Sequence, residues 1–246
     1  MNYEILKRSL DIVGSTVGIL IFTPIILICA VLIYLYDFGN PFYISPRVGK
    51  NRKIYKMLKL RTMIINAHKS GVDSTSKNDS RITPLGGFLR ALKLDELPQL
   101  YNVFLGSMSL VGPRPNVETE VNLYTCVEEN LLKVKPGVTD ISSIVFADLA
   151  DILKGSKDVN LSYNQLVRPW KSRLGLFYIE HRSLLLDLTI IFLTIIAIFN
   201  RTYAIDQVSK ILKHKNAPAD IVEISKRESM LVPYPPPGAN TIITER

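Results

Sequence analysis

Between Asp11 and Asp37 the chain carries no charged side chain. The stretch 12–36 is about 25 residues, long enough for a helix to cross the hydrocarbon of a bilayer. Lys7 and Arg8 stand just before it. A secretory signal has a shorter apolar region followed by a small-residue cleavage site, and no such site comes after this one, so the segment reads as retained. Thr23-Pro24 falls at its centre. Proline removes a backbone donor and crowds the preceding turn, so a break or bend is expected there. Two topologies are open. A kinked spanning helix with a cytoplasmic N-terminus, which Lys7 and Arg8 favour, would export the whole basic body of the protein. A re-entrant helix that turns at Thr23-Pro24 keeps both ends on the cytoplasmic face, its freed carbonyls met by Thr23 or its neighbours. The residues favour re-entry.

The chain as a whole is basic. Thirty Lys and Arg face 22 Asp and Glu among 246 residues, a net charge of +8, which suits an anionic partner. Lipid headgroups and phosphorylated substrates fit; a nucleic-acid role rests on charge alone, with no recognised motif, and is not expected. The two cysteines, Cys29 and Cys126, lie far apart and do not form a disulfide framework. The expected fold is α+β and mainly helical: the re-entrant helix, interfacial amphipathic helices and a small β-hairpin. The hairpin strands are 42–44 and 53–60, around Gly49-Lys50-Asn51. The polar stretch 66–83 reads as a mobile loop. Helices are expected over 85–94, over 98–104 with Pro98 in the first turn, and over 117–132 up to Lys135-Pro136-Gly137. The run 188–199 is short for a span, and extending it back to Leu184 would bury Asp187 among apolar residues, so it reads as a buried or interfacial helix. Three regions result: a membrane helix (1–38), a catalytic domain at the interface (39–205), and an extension (206–246), extended or poorly ordered after Asn216, where Pro233, Pro235, Pro236 and Pro237 cluster.

The chemistry concentrates in Leu92-Lys93-Leu94-Asp95-Glu96-Leu97-Pro98-Gln99-Leu100. Leucines draw this run into the core or interface, so adjacent carboxylates there need pairing, capping or a metal. Preceding Pro98, they could be an acidic helix cap without chemistry. They could equally divide two roles, since neighbouring helical side chains point about 100° apart. One would attack phosphorus; the other would hold Mg²⁺, a hard ion that takes oxygen ligands and bridges to substrate phosphates. Lys59, Arg61, Arg81 and Arg90 supply cations nearby in sequence. Arg114, stiffened between Pro113 and Pro115, suits bidentate contact with phosphate. His68, His181 and His214 are too scattered for a metal site.

These blocks resemble the bacterial sugar transferases, the monotopic polyprenyl-phosphate phosphoglycosyl transferases. The resemblance runs through Lys7-Arg8-Ser9-Leu10-Asp11, Thr23-Pro24, Arg47-Val48-Gly49, Lys59-Leu60-Arg61-Thr62-Met63, and Asn78-Asp79-Ser80-Arg81-Ile82-Thr83. It continues in the Asp95-Glu96 run, Gly112-Pro113-Arg114-Pro115, and Lys135-Pro136-Gly137-Val138-Thr139, covering about residues 3–200. It implies transfer of a sugar-1-phosphate from a UDP-sugar to polyprenyl (undecaprenyl) phosphate with release of UMP, the first membrane step of glycan assembly. Asp95 would be the nucleophile that carries the phospho-sugar, and Glu96 the Mg²⁺ ligand. Lys59, Arg61, Arg81, Arg90 and Arg114 would hold phosphate or nucleotide, with Asp187 a family acid near the site. It further implies a re-entrant helix on the cytoplasmic face of the bacterial inner membrane, a phospholipid surface as partner, and downstream glycosyltransferases as consumers of the product. The chain departs from the family pattern at Ser45-Pro46, at Asp140, at His181-Arg182-Ser183 and across 149–173; these departures bear on sugar recognition rather than phosphoryl chemistry. The competing class is a membrane-anchored, non-catalytic lipid-binding or scaffold protein, for which Asp95 would be dispensable.

Overall fold

The structure, a computed structural model, describes residues 3–67 and 79–245. The apolar segment forms α1, Tyr3–Asp37, a helix of 35 residues and about 50 Å at 1.5 Å per residue. It is the single described helix long and apolar enough to cross a membrane. At Pro24, where a break or bend is expected, the helical assignment continues without interruption. A proline costs one N–H bond, and the Thr23 hydroxyl donates to the Ile19 carbonyl at 2.6 Å in the turn before it. Thr23 also meets the Tyr101 hydroxyl at 3.2 Å.

Both ends of α1 are fastened to one body of protein. Lys7 pairs with Asp187 at 2.9 Å, and Arg8 donates to the carbonyls of Val103 and Phe104, each at 2.7 Å. Asp11 accepts from the Ser109 hydroxyl and the Leu110 amide, both at 2.9 Å. At the other end Asp37 is held by Arg61 at 2.6 Å. Between these ties Ile26, Cys29, Ala30 and Ile33 pack against Leu60 and Leu89. The opposite face stays bare, with Leu20 73% and Ile28 61% exposed.

β1 (Phe42–Val48) and β2 (Ile54–Leu60) form the expected antiparallel hairpin, in register from Phe42↔Leu60 to Val48↔Ile54. β1 is longer than 42–44 because Pro46 sits in a two-stranded ribbon, where its missing donor is tolerated. Asn51 and Arg52 turn the connection with positive φ. The expected loop 66–83 lies mainly outside the described residues. Thr83 caps α2 (Pro84–Ala91), accepting from the Gly86 amide. A 3₁₀ turn, Leu94–Glu96, leads into α3 (Gln99–Leu105), one residue off the expected helix.

β3 (Ser109–Val111) pairs in parallel with β4 (Gly137–Thr139), a contact with no local signal. The pairing needs Gly137, where a Cβ would lie 2.1 Å from the Gly112 nitrogen. The helix expected over 117–132 is corrected. α4 (Glu118–Val121) ends early, and a 3₁₀ stretch, Glu128–Lys133, comes next. Glu128 turns inward, accepting from the Thr125 amide at 3.0 Å and from Arg168, which pulls the chain off a helical path.

Short α5 (Ile141–Val145) and α6 (Leu149–Ile152) lead to α7 (Val159–Leu166) and α8 (Arg168–His181). α9 (Leu184–Phe199) starts four residues before 188, capped by Ser183. Its exposed Leu185, Phe192 and Phe199, with Leu105 of α3, extend the bare apolar surface of α1. Exposed apolar residues of this kind, beside a helix long and apolar enough to cross a bilayer, are consistent with membrane association. α10 (Arg201–His214) and α11 (Ala219–Lys226) pack Ala204, Val208, Leu212 and Ile221 into the main core with Leu174, Tyr178 and Ile190. The expected boundary at 205/206 therefore falls inside a core helix. The proline segment beyond α11 is extended as expected but docked: Tyr234 stacks on Trp170 at 4.4 Å, and Arg173 donates to the Pro235 carbonyl.

Candidate active site

Lys93 takes a left-handed conformation (φ 55°) between α2 and the 3₁₀ turn, and this reversal sets the position of Asp95 and Glu96. The pair precedes α3, but neither carboxylate accepts a backbone N–H among the described residues, and Pro98 supplies no side-chain cap. The acidic-cap reading thus has no bond to rest on.

Lys59 reaches the pair from β2, Arg90 from the last turn of α2, and Arg114 from the segment after β3. Glu96 Oε1 accepts from Lys59 Nζ at 2.9 Å and from Arg114 at 2.6 Å. Burial opposes its ionisation, yet Arg114 and Lys59 outweigh burial and hold its carboxyl well below the usual range. Asp95 is 7% exposed and forms no hydrogen bond or ion pair among the described residues. Burial, then the charge of Glu96, push its carboxyl up; Lys59, Arg90 and Arg114 only partly offset this. Two adjacent carboxylates are thereby split, one fixed and ionised, one unbonded and facing the cavity.

That cavity, about 180 Å³, is bordered by Lys59, Arg90, Lys93, Arg114 and Lys171 as well as by the pair. Lys59, Arg90, Arg114 and Lys171 also border a larger pocket of about 560 Å³, walled by Gln99, Asn116, Glu120 and Tyr163. Five cations around two carboxylates make a site for an anion. Among the described residues there is no cluster of three His, Cys, Asp or Glu able to ring a metal. Glu96 Oε1 is occupied by its two cations, so a divalent ion would fit on its second oxygen and complete its shell with phosphate oxygens and water, as Mg²⁺ does.

Of the expected site residues, Asp95, Glu96, Lys59, Arg90 and Arg114 converge. Arg61, Arg81 and Asp187 do not. Arg61 ties down Asp37 at the end of α1. Arg81 is held by Asp79 at 2.6 Å. Asp187 is fully buried in the first turn of α9, accepting from Lys7, from Tyr178 at 2.6 Å and from Tyr3 at 3.0 Å. It anchors the membrane helix. Lys93, Gln99 and Lys171 were not expected at the site. The first two flank the acidic pair closely enough to have been suspected; Lys171, on α8, carried no local signal.

Asp95, without a hydrogen bond among the described residues, thus stands beside a clamped Glu96 at the edge of a cationic cavity, in a protein with an exposed apolar surface. The chain belongs to the bacterial sugar transferase family, whose profile matches residues 2–201. It is 37% identical over 224 residues to an "Uncharacterized sugar transferase" of Haemophilus influenzae, covering 82% of this chain and 42% of that protein. It is 36% identical to the exopolysaccharide production protein ExoY of Rhizobium meliloti, over 78% of this chain and 84% of ExoY. It is 33% identical to the UDP-N-acetylgalactosamine-undecaprenyl-phosphate N-acetylgalactosaminephosphotransferase of Aeromonas hydrophila, over 78% of this chain and 43% of that protein. The chain thus spans most of ExoY but under half of the other two.

Proposed function

We propose that this protein is a phosphoglycosyl transferase that moves a sugar-1-phosphate from a UDP-sugar to polyprenyl (undecaprenyl) phosphate and releases UMP. The observation that carries the reading is Asp95: a buried carboxylate with no hydrogen-bond partner among the described residues, at the edge of a cavity of cations. An Asp95 oxygen attacks the β-phosphorus, the bond from that phosphorus to the bridging oxygen breaks, and UMP leaves with the electron pair. A phosphate oxygen of the polyprenyl phosphate then attacks the phosphorus held on Asp95. The Asp95 carboxylate leaves, and the product is a polyprenyl diphosphate sugar. Lys59 and Arg114 keep Glu96 ionised and in place, and Arg90 adds positive potential where the phosphoryl oxygens gather charge. Mg²⁺ held by Glu96 would neutralise diphosphate charge.

The family membership and the apolar surface of α1, α3 and α9 support a seat on the cytoplasmic face of a bacterial inner membrane. Because α1 is fastened to the same body at Lys7 and at Asp37, entry and exit by one face is the topology that suits it. That puts the pocket within reach of a lipid phosphate.

The test is a panel of UDP-sugars incubated with the full chain, undecaprenyl phosphate and Mg²⁺. UMP release with at least one sugar, lost on chelation by EDTA, is expected; no UMP with any member would overturn the reading. A second expectation concerns pH. Asp95 must be ionised to attack, so activity is present above its pKa and lost as pH falls through it. The positive charge of Lys59 lowers that pKa. Lys59→Met should therefore shift the acid limb of kcat/KM to higher pH and cost roughly a hundredfold near neutrality. An acid limb that does not move would deny Asp95 the nucleophile's role.

A further inference from the structure

Lys171 stands out in the cationic ring. Lys59 and Arg114 are engaged with Glu96, whereas among the described residues the Lys171 ammonium forms no hydrogen bond and no ion pair. Its ammonium lies over the Tyr163 ring, 5.4 Å from the centroid. The groups around it are of mixed sign. Arg114, Asp140, Glu96 and Lys93 act on it from the Pro-Arg-Pro segment, the start of α5 and the 3₁₀ turn. Lys59, Arg90 and Asp95 face it across the small cavity, Glu120 and Asp151 across the larger pocket, and Tyr124 and Arg168 from a crevice behind it. None of these acids bonds to it. Lys171 is partly buried, and a partly desolvated cation without a bonded counter-ion carries a cost that a bound anion or loss of the proton relieves.

Its position says which anion. Asp95 borders only the small cavity, so the phosphorus it attacks lies there. Lys171 borders that cavity and the larger pocket, whose 560 Å³ accommodates a nucleoside where 180 Å³ does not. In an in-line displacement the leaving oxygen lies opposite the nucleophile. We propose that Lys171 binds the nucleotide-side phosphate of the donor and holds it on the departing UMP. The inference rests on the function proposed above. Lys171 moves no proton to product: the β-phosphorus–oxygen bond breaks, its electron pair stays on the UMP phosphate, and the ammonium balances the charge that gathers there.

The test is binding of UMP, uridine and undecaprenyl phosphate to the detergent-solubilised full chain, as wild type, Lys171→Met and Lys171→Arg. Lys171→Met should weaken UMP by roughly tenfold or more, with Lys171→Arg restoring most of it. Uridine and undecaprenyl phosphate should bind all three proteins alike. Proton linkage gives a second readout that loss of packing would not produce. Burial, then the charge of Arg114, push the Lys171 ammonium down to about 7. At pH 8 it is therefore largely neutral in the free protein, and a bound anion restores its proton. Calorimetry in two buffers of different ionisation heat should show proton uptake on UMP binding by wild type and none by Lys171→Arg. Lys171→Met binding UMP as wild type does, or weakening uridine or undecaprenyl phosphate as much as UMP, would overturn the assignment. If Lys171→Met does not fold, absence of proton uptake by wild type overturns it instead. Failure of the wild type to bind UMP at all would bring down the functional reading itself, whereas binding indifferent to Lys171 would bring down this inference alone.

Discussion

Asp95→Asn should abolish UMP release, by about four orders of magnitude or more, and remove any radiolabelled phospho-sugar adduct from the protein. The amide is nearly the same size but lacks the negative charge that attacks phosphorus, and it cannot leave as a carboxylate in the second step. The substitution is also clean structurally. The Asp95 side chain forms no hydrogen bond among the described residues, and its carboxyl is pushed up by burial and by Glu96. A folded-state pKa above the unfolded one means that the charged form opposes folding at pH above the unfolded value. A neutral amide removes that opposition. The variant should therefore melt at the same temperature as wild type or higher at pH 7. Loss of activity together with a lowered melting temperature would point to a structural role; normal turnover would end the covalent mechanism.

Arg168→Met should produce the largest loss of stability, about 3–5 kcal/mol in chemical denaturation of the solubilised protein. Arg168 is 1% exposed and Glu128 is fully buried. Arg168 donates to both oxygens of Glu128, to Asn164 at 3.0 Å and to the Leu123 carbonyl, with its guanidinium over Tyr124. Removing it leaves Glu128 buried with, among the described residues, the Ser172 hydroxyl and the Thr125 amide to meet its charge. The loss arises from that stranded carboxylate more than from the ion pair's net contribution. Adding Glu128→Leu should accordingly recover much of the lost stability. If the single variant unfolds at the wild-type denaturant concentration, the pair is not the brace of α8 that its burial indicates.

The bracing matters for the site, because α8 carries Arg168, Ser172 and Lys171 close together in sequence. The carboxy-terminal strap adds to it: Tyr234 stacks on Trp170, and Arg173 lies over both rings. The region 149–173, where the family pattern is thin, and the strap, outside the 2–201 match, together support one wall of the pocket. A helix placed by contacts from so far along the chain has no signature in its own sequence.

The features legible before folding are local ones. A charge-free run of about 25 residues dictates a lipid-facing helix, because apolar length is read residue by residue. Alternation around Gly49-Lys50-Asn51 dictates the hairpin, and Asp95-Glu96 inside a leucine-rich run marks the site because adjacent residues stay adjacent in any fold. The Pro-Arg-Pro segment is equally legible, since ring closure fixes its backbone. Which charge meets which is a different matter, settled by the packing of the whole chain. Lys59, Arg61, Arg81 and Arg90 are alike as sequence, yet Lys59 and Arg90 reach the acidic pair with Arg114, while Arg61 and Arg81 turn to Asp37 and Asp79. Asp187 is legible only as an acid among apolar residues and Lys171 not at all: the acid fastens α1, and the lysine borders the cavity beside Asp95. The physical reason is range. Helix periodicity and backbone restriction act over a few residues, whereas an ion pair needs its partners within about 4 Å, a distance that no short stretch of sequence can fix.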